Sequence, residues 1–246
     1  MKVMAGLARN PTLSLLLAEF FELWIRWRTY KTLFGQADRF ALFNEASPQT
    51  RMVFDDALWD VIVLAICRLT DRSQSSTRKN ARLNLSLIGL LKEPDFSQHQ
   101  SDLLPLIEIA QAKAAPFRAQ RDKRIAHIDA EWRSGGLELA GLSRNDVRAA
   151  LAAIFAPLKL AMQLSEDTDI RPGVVTEFYK DELHFLNLLR LGSQEYARLK
   201  AALADEAAQV AQAPQPLADP LAPFSTRLSA LYGPDWLRRR EPDEGF

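Results

Sequence analysis

The stretch RDKRIAHID, residues 121–129, places Arg121, Lys123, Arg124 and His127 within seven residues, with Asp122 inside that span and Asp129 just after it. Only 3 histidines occur in 246 residues, so the setting of this one is informative. Imidazole is the side chain that exchanges a proton near neutral pH. Neighbouring cations disfavour its charged form, which leaves it neutral and able to accept a proton. A guanidinium close by can hold an anion through paired hydrogen bonds. These residue types describe a site that handles an anion. The competing reading is a solvated charged face.

Helical spacing separates the two readings in part. At about 100° per residue, Ala114, Phe117, Arg121, Ile125, Ile128 and Trp132 form one stripe, and Arg121 is its only charge. A guanidinium on an apolar face needs a carboxylate partner or an exit to solvent. Asp71, in the segment RLTDR with Arg68, is one candidate partner. His127 points roughly 120° away from the stripe, toward Lys123, Arg124 and Glu131. One straight helix therefore does not join Arg121 to His127. A cleft wrapping round the helix, or a second copy of the chain, would be needed.

The elements that must hold this stretch read as helices. Hydrophobic residues make up 48% and charged residues 25% of the chain, as in ordinary globular proteins. The zero formal net charge argues against coating nucleic acid through bulk charge, while allowing a local basic patch. The single cysteine, Cys67, excludes an internal disulfide and fits a reducing compartment. It lies in VIVLAICRL, the setting of a buried, inert thiol. The N-terminal apolar run LSLLLAEFFELWI is broken by Glu19 and Glu22. It is too short and too charged for a membrane span, and the expected location is cytoplasmic.

Pro11 opens a helix to about Phe34, with Leu13, Leu16, Leu17, Phe20, Phe21, Trp24 and Trp27 along one side. Gly35 ends it, and a short helix over Asp38 to Glu45 follows. Ser47 and Pro48 start a third helix that reaches about Asp71, apolar nearly all round from Val61 to Cys67 and so expected at the centre. RSQSSTRKNAR reads as a loop. Asn84 or Ser86 would cap a short helix through LIGLLK that Pro94 closes. A long helix from about Gln98 to Trp132 carries Pro105 and Pro116, with a kink expected at Pro116. Ser143 and Asp146 resemble a capping box for a helix to about Glu166, with a kink at Pro157. Residues 176–212 hold one or two helices, with Gly192 as a break. AQAPQPLADPLAP reads as a linker, and residues 224–246 as a short docked helix or an unstructured tail. His99 and His184 stand alone and read as surface or core-edge residues. Neither a metal-ligand spacing nor a phosphate-binding Gly-rich loop occurs.

The Arg-x5-His spacing from Arg121 to His127 resembles the motif of the HEPN superfamily. WIRWRTYKTLF, AICRLTD, a polar loop, LNLSLIGLL and RDKRIAH follow in the order of its abortive-infection, Abi type U-like, branch. The resemblance covers roughly residues 15–170. It implies an all-α fold with a HEPN-like bundle over 1–170; outside it, the helical pattern gives an extension over 171–212 and the composition a Pro-rich tail over 213–246. It also implies metal-independent RNase activity, with Arg121 and His127 catalytic and Asp122 in the acidic position that often follows the arginine. Lys123 and Arg124 would contact RNA, and no cofactor is expected. A homodimer and an antitoxin or regulatory protein are the implied partners.

The chemistry suits the residues. Metal-free RNA cleavage uses the 2′-OH as an internal nucleophile, so it needs a proton acceptor such as His127 and a fixed cation such as Arg121 on the phosphorane. DNA lacks that hydroxyl. The rival readings are a HEPN module that binds RNA or a protein without cleaving, and a structural scaffold in which Arg121 belongs to an ion pair.

Overall fold

A computed structural model describes residues 7–72, 84–125, 141–172 and 181–211. Among the described residues six α-helices form: α1 (Pro11–Phe34), α2 (Ala37–Ala46), α3 (Pro48–Thr70), α4 (Gln100–Gln120), α5 (Arg144–Glu166) and α6 (Asp181–Ala211). No strand occurs among the described residues.

Local chemistry sets most boundaries. Pro11 occupies the first turn of α1, where its missing N–H costs nothing, and the Asn10 side chain accepts from the Leu13 amide at 3.0 Å. Gly35 is the C-cap of α1, donating its N–H to the Lys31 carbonyl at 2.9 Å, and a Cβ there would stand 2.2 Å from that oxygen. Ser47 is the N-cap of α3 ahead of Pro48, as expected, although its hydroxyl donates to the Thr50 hydroxyl at 2.8 Å and caps no backbone amide. The Ser143–Asp146 capping box at the start of α5 forms in both directions.

Four helices enclose the core. α4 packs on α3 and α5, and α1 packs on the other side of the same two helices. Leu13, Leu16, Phe20, Leu23 and Trp27 meet Ile62 and Ile66, then Leu103, Ile107 and Phe117, then Leu151, Ile154 and Leu158. Side chains of this kind each contribute about 1.5–3 kcal/mol on full burial. Val61 does not share the burial of Ile62 to Cys67; it is exposed, on the outer side of α3. The stripe on α5 explains why that helix is long and apolar enough to cross a membrane: Val147, Ala150, Ile154, Leu158 and Ala161 are buried inside the bundle. A second, smaller cluster of Leu33, Phe34, Phe43 and Leu186 seats the start of α6 against α1 and α2.

Several expectations are corrected. LIGLLK forms a 3-10 turn (Leu87–Lys92), and Pro94 opens a second one (Pro94–His99) rather than closing the first. Pro fits there because the first residue of a turn needs no N–H. α6 runs unbroken through Gly192, since one glycine costs a helix only about 1 kcal/mol. Of the long helix expected from about Gln98 to Trp132, Gln100–Gln120 is α-helical and Arg121–Ile125 is π-helical, and the remainder lies outside the described residues. The RSQSSTRKNAR loop, for the most part, and the Pro-rich tail lie outside the described residues.

Candidate functional site

α3 and α4 bring the site together. α3 ends at Thr70, with Asp71 as its C-cap. α4 lies against it, and its Ala114 and Phe117 are fully buried. Arg118 and Arg121 follow on the edge of that buried stripe, three residues apart and hence neighbours in space. Asp71 joins them. Its Oδ1 accepts from Arg118 Nε at 3.1 Å, and its Oδ2 accepts from Arg121 Nη1 at 2.5 Å. Arg118 also donates to the Thr70 carbonyl at 2.9 Å and to the Thr70 hydroxyl at 3.0 Å. It thereby satisfies a terminal carbonyl of α3 and places a cation at the negative end of that helix.

Arg121 Nε donates to Asp122 Oδ1 at 2.8 Å. That hydrogen bond, and after it the bond and charge of Asp71, outweigh partial burial and hold the guanidinium protonated more firmly than usual. Cys67, one turn before Asp71, shows the opposite balance. Burial pushes its thiol up to about 11, with the charges of Arg121 and Arg118 pulling the other way. It is a core thiol, as the sequence suggests.

A cavity of about 470 Å³ opens beside Arg121. Its wall carries Asp71, Arg72, Arg118 and Arg121 with Thr70, Asn84 and Gln111. Three guanidiniums against one carboxylate make it an anion-attracting space. Among the described residues, no group of three or more His, Cys, Asp and Glu could hold a metal ion.

The predicted site residues do not all share this cavity. Arg124 turns to the other side of the π-turn, pairs with Asp60 of α3 and lines a separate cleft with Tyr30 and Trp59. Burial raises the Asp60 carboxyl pKa, and Arg124 opposes that rise. Lys123 is half-buried on the same turn. His127, Asp129, Ile128 and Trp132 lie outside the described residues. The 120° offset between Arg121 and His127 assumed an α-helix; across a π-turn, with its wider i→i+5 bonding, that phase no longer applies. Phe117 is in the core and Ile125 packs against it, so the bundle itself covers this part of the stripe. Asp71 is the partner of Arg121, as the RLTDR segment suggested, whereas Arg68 pairs with Glu19. Arg118 and Thr70 were missed. The i, i+3 spacing of Arg118 to Arg121 was the available signal.

A family model described as AbiU2, of the HEPN grouping, matches residues 11–186. The chain belongs to the AbiU2 family of HEPN proteins. No curated protein and no solved structure matches it. The AbiU2 match begins at the first residue of α1 and ends at Leu186, the buried residue that seats α6. This AbiU2 chain therefore carries an abortive-infection-associated HEPN domain, and the Arg121 turn lies inside it.

Proposed function

We propose that this AbiU2 protein is a metal-independent endoribonuclease acting as a toxin or phage-defence effector in the cytoplasm, with RNA as substrate. The observation that carries the reading is Arg121, held by Asp71 and Asp122 at a cavity lined by two further arginines. In this reading His127 takes the proton from the 2′-OH as its oxygen attacks the adjacent phosphorus. Arg121 stabilises the charge on the phosphorane. The bond to the 5′-oxygen breaks, that oxygen receives a proton from the imidazolium, and the products are a 2′,3′-cyclic phosphate and a 5′-hydroxyl end. Asp122 orients Arg121, and Lys123 and Arg124 add positive potential along the strand. A homodimer supplies the second copy of the motif, an antitoxin or regulatory protein restrains it, and 1–170, 171–212 and 213–246 serve as bundle, extension and tail.

The test is incubation of the full chain with single-stranded RNA and DNA in EDTA. RNA cleavage with cyclic phosphate ends is expected, with DNA left intact. Activity that needs a divalent ion would overturn the mechanism.

One observation favours a second reading, a scaffold or non-cleaving binding module. Both carboxylates beside Arg121 already engage its guanidinium, as a structural brace would. Under that reading Arg121→Ala lowers stability and the wild-type chain cleaves nothing.

A further inference from the structure

We propose that the open groove between α1 and α5 binds a free single-chain amphiphilic anion, its acidic head on Lys31 and Arg148 and its apolar body over Trp24 and Phe155. The groove has a volume of about 710 Å³ and shares no lining residue with the Arg121 cavity.

Its shape follows from helical spacing. Phe20, Trp24, Trp27 and Lys31 recur at steps of four, three and four, so they share one side of α1. Arg148, Ala152 and Phe155 do the same on α5 at steps of four and three, and the small Ala149 and Ala152 leave the space open. The two helices run in opposite directions. Arg144, at the start of α5, donates to the Phe34 carbonyl at the end of α1 at 2.8 Å, while Phe20 stacks on Phe155 with centroids 5.1 Å apart. The groove is consequently polar at one end, with Lys31 and Arg148, and aromatic at the other.

Charge and burial then select the ligand. The lining residues include no Asp or Glu. Among the described residues, neither Lys31 nor Arg148 makes an ion pair, and the Lys31 ammonium lies 5.8 Å from the Trp27 ring centroid. Phe20 and Trp27 form a buried floor, and Trp24 and Phe155 are part-exposed above it. A nucleobase over Phe20, Ala152 and Phe155 would set ring nitrogens and carbonyls beside apolar side chains, away from Asn145 and Arg148 toward the other end, which is costly. A hydrocarbon body meets no such penalty, and removing it from water is favourable. An anionic head at the two cations completes the match.

Isothermal titration of the full chain with dodecanoate and dodecyl phosphate, below their micellar concentrations, tests this. Both should bind, and an uncharged dodecyl glycoside should bind about tenfold more weakly or less. Arg148→Glu and Lys31→Glu should each weaken dodecanoate by about tenfold. Ala152→Trp, which fills the groove from an exposed position, should abolish binding with the melting temperature unchanged. Arg121→Ala should bind as the wild type does. Binding that survives Ala152→Trp would mark non-specific association and overturn the proposal. AMP or UMP binding that Ala152→Trp removes, without dodecanoate binding, would overturn it in favour of a nucleotide. Capture by phosphatidylglycerol vesicles but not by free dodecanoate would overturn the free-ligand source.

Discussion

One carboxylate, Asp71, holds two guanidiniums: Arg118 on one oxygen at 3.1 Å and Arg121 on the other at 2.5 Å. Asp71 is the C-cap of α3, and both arginines sit at the end of α4, so the bridge ties two core helices where their apolar contact ends. Arg118 fastens the same point a second time through the Thr70 carbonyl and hydroxyl. The orientation of Arg121 thus depends on a residue fifty positions earlier in the chain.

Asp71→Asn is expected to lower stability by about 1.5–3 kcal/mol, the range for hydrogen bonds to charged groups, since these side chains are only about a quarter exposed. Urea unfolding measures it. An unchanged midpoint would show that Arg118 and Arg121 are held by other contacts.

Arg121→Ala and His127→Ala should each abolish RNA cleavage while the chain stays folded. Arg121→Lys should not restore it, because an ammonium cannot keep both Asp71 and Asp122 in the fork geometry. Cleavage assays in EDTA, run beside thermal melts, decide this. A chain that fails to fold as Arg121→Ala supports the scaffold reading.

Phe117→Ala should destabilise each chain by about 3–5 kcal/mol, because the ring is fully buried in the bundle core. Light scattering with chemical denaturation separates this from an interface effect. Loss of a dimer with chain stability unchanged would place Phe117 at an interface instead.

The Cys67 thiol should resist alkylation at pH 8 and react only on unfolding. Burial raises its pKa from an ordinary value near 9 to about 11, so the folded state favours the neutral thiol. The sign follows: its contribution to stability is fully present below pH 9 and is lost as the pH rises toward 11. Iodoacetamide labelling followed by mass spectrometry gives the readout. Labelling of the native chain at the rate of a free thiol would contradict the burial.

A shared site between two copies makes a separate prediction. Mixing Arg121→Ala chains with His127→Ala chains should restore part of the RNase activity, since one intact Arg and one intact His could then meet across a dimer. Activity in a strict monomer by light scattering, with nothing restored on mixing, would place the whole site within one chain.

Helix periodicity and capping were legible in the sequence because they are local. Pro11 in the first turn, Ser143 with Asp146, and the run from Leu13 to Trp27 each depend on neighbours within a turn or two, and the structure places α1 and α5 close to where those signals put them. The Arg121 stretch stood out for the same reason, as did Asp71 as a possible partner. Tertiary structure decided what local spacing cannot encode. It chose Asp71 over solvent for Arg121, sent Arg68 to Glu19, added Arg118, and turned Arg124 to Asp60 on the far side of the turn. Each choice depends on which helix lies alongside, and that follows from burying Phe117, Ile66 and Ile154 together. The π-turn at Arg121–Ile125 belongs to the same class: it packs against α3, where Arg121 meets Asp71 and Arg124 meets Asp60.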